Sequence, residues 1–377
     1  MEKERAALSR GELFRNGLES SSTRPPLGWV CTYTPEELLL AAGFTPVRLP
    51  CSSSHPSLET PLPANLCGYV RGLLGTALGG LGPDLVGVVF AMSCDAMRRL
   101  ADAWSFCFPN HFVYRLDVPR RWDPDAEEFF YQQLSRLREA LGVFGGHAIS
   151  DADLEAAIAL VNETRRLLQA ISFMRFKATA PVTGAQVLEI TQKAQEMDKE
   201  RFNEEARRFL ELHRNGSSFS CKANRFPVVL GGGTLAGACE LAAIAEECGL
   251  FLAAAHVCTG SRAYEGLVES DSEPLRALAR RYLKRPGCAR MQGAASRVRR
   301  LMDLAKGCGA VGVVFQSLKF CDPVQSDLPW LRRACREHNL PLLQLERDGS
   351  VTDSGQLKTR LQAFAELLAA RPEEQRS

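Results

Sequence analysis

The chain lacks an apolar run long enough to span a membrane, and no apolar stretch follows its charged start, MEKERAALSR. A membrane span needs about twenty such residues and a secretory leader needs an apolar core, so neither is expected. Charge of one sign is also lacking: 46 Lys and Arg stand against 44 Asp and Glu, a formal net charge of +2. That leaves no basic field to recommend nucleic acid as a partner. No two cysteines stand at C-x2-C spacing, the usual signature of structural zinc. No G-x-x-x-x-G-K-[ST] phosphate loop occurs, so any ATP-driven step is expected of another chain. The expectation is a cytoplasmic protein that binds neither nucleic acid nor membrane.

What the chain does have is 13 cysteines in 377 residues. In a reducing compartment they are not a disulfide framework. Cys239, Cys248, Cys308 and Cys335 fall on helical patterns and read as small buried hydrophobes. The rest need another explanation.

The length predicts two domains. Residues 1–25 read as an N-terminal arm. Over 26–145 strand-like runs (LGWVCTY, PVRLP, DLVGVVFAMSC, FVYRLDVP) alternate with helical ones, beginning with PEELLLAAG, where proline suits the first helical position. Residues 146–222 carry long amphipathic helices, read as a connector. Over 223–377 strands (PVVL, LFLAAAHVC, AVGVVFQSL, PLLQLE) alternate with helices again. This alternation predicts an α/β fold with a parallel sheet in each half.

The pentapeptide VGVVF occurs twice, at Val86–Phe90 and Val311–Phe315, and each copy is followed by Cys-Asp, at Cys94-Asp95 and Cys321-Asp322. The pairing suggests a structural repeat. Cys31, Cys94, Cys258 and Cys321 all stand at or just after predicted strand ends, where open parallel sheets bind ligands. Two facing halves would bring such cysteines to one interdomain cleft. Widely spaced thiolates from several loops suit an iron–sulfur cluster, although spacing alone leaves nucleophilic and zinc chemistry open.

The segments GWVCTYTPEELLLAAGFTPVRLP, NLCGYVRGLLG, SCDAMRRLADAW, CTGSR, KFCDP and GQLKTRLQAF, in this order, resemble the 2-hydroxyacyl-CoA dehydratase and benzoyl-CoA reductase subunit family. The resemblance runs from about Gly28 to Leu368. It implies two Rossmann-like domains with a [4Fe-4S] cubane at their interface, carried by Cys67, Cys94 and Cys321. Three thiolates would leave one iron open to water or a substrate oxygen. It further implies an acyl-CoA substrate that accepts an electron to form a ketyl-type radical, a homologous second subunit, and a separate ATP-hydrolysing iron–sulfur activator. The same superfamily includes homodimeric proteins with a double-cubane [8Fe-9S] centre that reduce small molecules; for that branch the resemblance adds Cys31, Cys258 and Cys288. A non-catalytic cluster scaffold or electron carrier is a third reading.

Further candidates stand beside their plainer alternatives. Gly231, Gly232 and Gly233 follow a strand and precede a helix, where backbone N–H groups bind phosphate such as that of CoA, or simply turn tightly. Glu37 is a candidate for proton transfer near the cleft, or a solvent-facing charge at a helix start. Arg262 is a candidate for CoA phosphate, or a surface ion pair. His55 and His256 read as satisfied structural histidines. Asp95 and Asp322 read as helix caps that fix the cysteine loops.

Overall fold

The computed structural model describes residues 24–50, 60–176, 181–214, 225–233, 238–270, 273–285, 287–347 and 354–372. The N-terminal arm to residue 23, with Cys51, His55 and Cys221, lies outside the described residues.

All eight expected strands form. They are β1 (Pro26–Val30), β2 (Thr45–Arg48), β3 (Gly87–Ala91), β4 (Phe112–Leu116), β5 (Phe226–Gly232), β6 (Leu250–His256), β7 (Gly312–Leu318) and β8 (Leu342–Arg347). They make two four-stranded, all-parallel sheets ordered β2-β1-β3-β4 and β6-β5-β7-β8. One connectivity is thus used twice, and each VGVVF copy runs into the third strand of its sheet. Both copies are apolar without alternation because helices cover both faces of a parallel sheet. β3 and β7 are accordingly buried at every position. The α/β architecture is as the alternation predicted.

Gly87 opens β3, where a Cβ would meet the carbonyl oxygen of Phe112 at 2.3 Å; only glycine lets β3 and β4 approach there. Pro35 is the N-cap of helix Glu36–Ala41 rather than its first residue, and Glu36 and Glu37 occupy the first turn.

Long helices fill the middle of the chain at Asp151–Phe173, Gly184–Glu196 and Lys199–Leu212. The first two start on capping boxes, Ser150 with Asp153 and Thr183 with Gln186. Helix Asp151–Phe173 packs on helix Glu36–Ala41 beside the first sheet, and Gly184–Glu196 packs on β6 and on helix Ala238–Glu247. Helix Pro274–Lys284 lies beyond residue 223, yet it packs on helix Pro124–Gly145 and its Leu275, Leu278, Tyr282 and Leu283 enter the first sheet's core. The loop after that helix carries Cys288 to the ends of the first sheet's strands.

No described helix is long and apolar enough to cross a membrane.

Candidate metal centre

Cys67, Cys94 and Cys321 occupy equivalent local positions. Each is the N-cap residue of a helix: Gly68–Leu78, Asp95–Cys107 and Asp322–Gln325. None makes a formed side-chain cap bond, but the N–H groups of Tyr69 and Val70 face the Cys67 sulfur, Met97 faces Cys94, and Val324 faces Cys321. A helix N-terminus favours thiolate over thiol. The three cysteines pack in one core region with Leu318, so the second half reaches into a core built mainly by the first.

Cys31, Cys258 and Cys288 adjoin them. Cys31 follows β1 with φ +68. The turn that holds it is closed by Thr34, whose N–H donates to Cys31 O and whose hydroxyl donates to Val30 O, both at 3.0 Å. Cys258 follows β6 in a turn where Gly260 is required, since a Cβ would stand 2.4 Å from Ala255 O. The N–H of Cys288 donates to the Tyr33 hydroxyl at 3.4 Å. Phe320, beside Cys321, has φ +62. Left-handed backbone at non-glycine residues costs on the order of 1–3 kcal/mol, and two of three such described residues flank this group.

The six sulfurs are electrostatic neighbours. Burial raises the thiol pKa values of Cys94, Cys288 and Cys321 most. Cys94 is then raised by Cys67 and Cys31, Cys321 by Cys67, Cys94 and Cys288, and Cys288 by Cys258 and Cys31. Cys321 reaches about 12 and Cys288 about 11. Cys67, Cys94 and Cys321 are thus mutual neighbours, Cys288 neighbours Cys258 and Cys31, and Cys31 with Cys94 and Cys288 with Cys321 link the two sets. None of the eleven described cysteines is tied up in a disulfide. A metal core relieves such crowding by taking the sulfurs as thiolates. Among the described residues no three His, Cys, Asp or Glu side chains could hold a single metal ion. A four-iron cubane spaces its thiolates one to a corner, wider than the ligands of one ion, and so does not require a single-ion site of that kind.

The other candidates are placed differently from their expected settings. Glu37 does not face water: it is fully buried, 2.5 Å from Arg165, and accepts from the Tyr282 hydroxyl at 2.8 Å. Burial pushes its pKa up, but Arg165 and Arg281 outweigh that, and the carboxyl is held below its usual range. Arg262 is no surface ion pair; it is buried and donates to Gly232 O at 3.0 Å. Gly232 (φ +137) is required by packing, since a Cβ would stand 2.1 Å from Gln316 O. The turn after Gly233 lies outside the described residues.

Asp95 and Asp322 are first helical residues, not caps, because the cysteines before them hold the cap positions. Asp95 instead pairs loosely with Arg99 at 3.7 Å on the surface. His256 is buried but only half satisfied: Nδ1 lies 3.4 Å from Ser261 Oγ and Nε2 has no partner among the described residues. Cys335 is buried in the second sheet's core, while Cys239, Cys248 and Cys308 are half-buried against the cores.

The 2-hydroxyglutaryl-CoA dehydratase D-component family matches residues 31–368. The chain belongs to that family. Its relatives include the (R)-phenyllactyl-CoA dehydratase beta subunit of Clostridium sporogenes, 27% identical, with 91% of each chain covered. The putative dehydratase subunit YjiM of Escherichia coli is 29% identical with the same coverage. A subunit of the benzoyl-CoA reductase of Thauera aromatica is 23% identical over 91% of this chain and 90% of its own. The resemblance read from the segments is therefore correct, and dehydratase and CoA-ester reductase subunits are this chain's kin. The family match opens at Cys31 and encloses both cysteine triads.

Nothing in the sequence marked Arg48, Arg262, Arg285 and Arg290 as one group. They come from three separate segments, around Arg48, around Arg262 and the Arg285–Arg290 loop.

Proposed function

We propose that this chain is the iron–sulfur subunit of a 2-hydroxyacyl-CoA dehydratase or benzoyl-CoA-reductase-type enzyme, with a [4Fe-4S] cubane held by Cys67, Cys94 and Cys321. The observation that carries the reading is that these three cysteines, all at helix N-caps, gather in one core region drawn from both halves. When bound, such a cluster supplies single low-potential electrons to a CoA thioester. The chain's own residues gather the thiols and bury them away from bulk water, and it is the cluster, when bound, that would take them as thiolates. The helices that begin at Cys67 and Cys94 offer backbone N–H groups to each sulfur. Glu37 serves position rather than proton transfer, tying helix Glu36–Ala41 to Arg165 and Tyr282 behind the Cys31 turn. Gly231 and Gly232 serve strand packing, and Arg262 serves the cysteine group instead of CoA phosphate.

With the chain divided into 26–145, a connector over 146–222, and 223–377, this centre belongs to an interdomain cleft. The expected partners are a homologous subunit or a second copy, an acyl-CoA, and an ATP-hydrolysing iron–sulfur activator. The relatives' names as subunits support the first of these.

A second reading has its own observation. Cys288, with its neighbours Cys31 and Cys258, adjoins the first three, which suits a double-cubane [8Fe-9S] centre in a homodimer. Iron and sulfide counts on anaerobically purified protein test both. About four irons per chain supports the single cubane and about eight the double one. Iron-free protein after anaerobic reconstitution would sink both.

A further inference from the structure

Arg48, Arg262, Arg285 and Arg290 are only 4%, 6%, 8% and 8% exposed. Their hydrogen-bond acceptors are neutral. Arg48 donates to Gln195 Oε1 at 2.9 Å and Cys258 O at 3.1 Å, and the Tyr69 hydroxyl stands beside it. Arg262 donates to Gly232 O. Arg285 donates to Arg262 O at 3.0 Å and to Thr32 O. Arg290 donates to Ser93 O at 3.2 Å, Val118 O at 2.7 Å and Pro119 O at 3.1 Å. Among the described residues none of the four meets a carboxylate, as buried Arg165 and Arg297 do with Glu37 and Asp327 at 2.5 and 2.6 Å; buried Arg175 and Arg281 also donate to neutral oxygens, but away from the cysteine group.

Burying unpaired charge is expensive, so this concentration of cations calls for an anion. Arg262 Nε and Arg285 Nε also keep buried N–H groups without an acceptor among the described residues. The cations border the cysteines. The guanidinium of Arg48 lies in the field of Cys258 and Cys31, and that of Arg262 in the field of Cys288. Arg285 and Arg290 both stand 4.8 Å from the ring of Tyr33, whose hydroxyl accepts from Cys288 N–H.

We infer that Arg48, Arg262, Arg285 and Arg290 form a cationic cage closed by the anionic iron–sulfur centre, with the orphan N–H groups donating to its sulfur atoms. They are positioning residues that raise the reduction potential of that centre. Reduction adds one electron, taken from the activator, with no bond made or broken. Fixed positive charge and N–H···S hydrogen bonds favour the state that holds it. The inference rests on the cluster reading above and concerns the side of the centre that faces Cys31, Cys258 and Cys288, where Arg48 and Arg262 lie.

The test is a midpoint potential, measured by EPR-monitored titration of the reconstituted full chain. Iron is counted first on the unaltered protein, so that failure of the cluster reading is seen separately. Arg48→Met and Arg262→Met are each expected to shift the potential to more negative values. Arg48→Lys and Arg262→Lys, which keep the charge, are expected to restore most of it. Arg299→Gln, the same charge change at an exposed position, is expected to leave it in place. Failure of the Met variants to load iron while the Lys variants load it also supports the cage. Unchanged potentials in loaded Met variants, or loss of the cluster from the Lys variants as well, would overturn it.

Discussion

The Glu37 carboxylate and the Arg165 guanidinium meet at 2.5 Å with their side chains 0% and 3% exposed, and the Tyr282 hydroxyl closes the second carboxylate oxygen at 2.8 Å. Segments 128 and 245 residues from Glu37 in sequence are thereby joined to it behind the Cys31 turn. Breaking one side of such a pair strands the other charge, at a cost of about 3–5 kcal/mol. Glu37→Gln is expected to lower denaturant stability by that order, and Glu37→Gln with Arg165→Met by less than the two single changes summed. Additive losses would show that the pair is not coupled.

The same carboxylate sets a pH dependence. Its folded pKa lies below the ordinary 4.5, because burial, which raises it, is outweighed by Arg165 and Arg281. Its stabilisation is therefore complete above about pH 4.5 and lost as pH falls through the folded value. Urea unfolding is expected to show this limb only in acid, and Glu37→Gln is expected to remove it. A Glu37-dependent change between about pH 6 and 8 would contradict the assignment.

Gly232→Ala is expected to destabilise more than Gly233→Ala. The first adds a Cβ 2.1 Å from a backbone oxygen at φ +137, the second a Cβ 2.8 Å from the movable Val324 side chain. Thermal unfolding of the two variants gives the ranking.

Cys67→Ser, Cys94→Ser and Cys321→Ser are each expected to abolish the visible absorbance of the reconstituted cluster. Cys335→Ser, in the second sheet's core, is expected to leave it. Retention of a full cluster in any of the first three would remove that residue from the ligand set. Cys31→Ser, Cys258→Ser and Cys288→Ser lower the iron count only if the second triad holds iron of its own.

Two aspartates near helix starts separate capping from dipole effects. Asp123 caps helix Pro124–Gly145 by accepting from Ala126 N–H at 2.8 Å, so Asp123→Ala is expected to cost about 0.5–2 kcal/mol. Asp95, exposed at a first helical position, makes no cap bond and acts through the dipole and its loose pair with Arg99, so Asp95→Asn is expected to cost about 0.3–1 kcal/mol or less. Equilibrium unfolding compares them.

The eight strands were legible along the chain, because buried parallel strands must be continuously apolar and VGVVF twice meets that demand. Cys94 and Cys321 could likewise be set after equivalent strands, since the short polar segment after an apolar strand shows locally. The segment resemblance led correctly to the family. Other features depended on distance in space. Glu37 follows a helix start and reads as solvated; only Arg165 and Tyr282, far along the chain, show it buried. Asp95 and Asp322 read as caps because nothing local says that the cysteine before each takes that position.

The arginine group was the least legible feature. An arginine in a loop or helix reads as surface, and its burial is decided by what packs over it. The crossing of helix Pro274–Lys284 onto the first sheet brings Arg285, Cys288 and Arg290 to the ends of β1 and β3. Local pattern set the strands and the cysteines at their ends. Tertiary packing alone gathered six cysteines and four arginines that meet no carboxylate among the described residues, because charge and thiol chemistry act through space while periodicity acts along the chain.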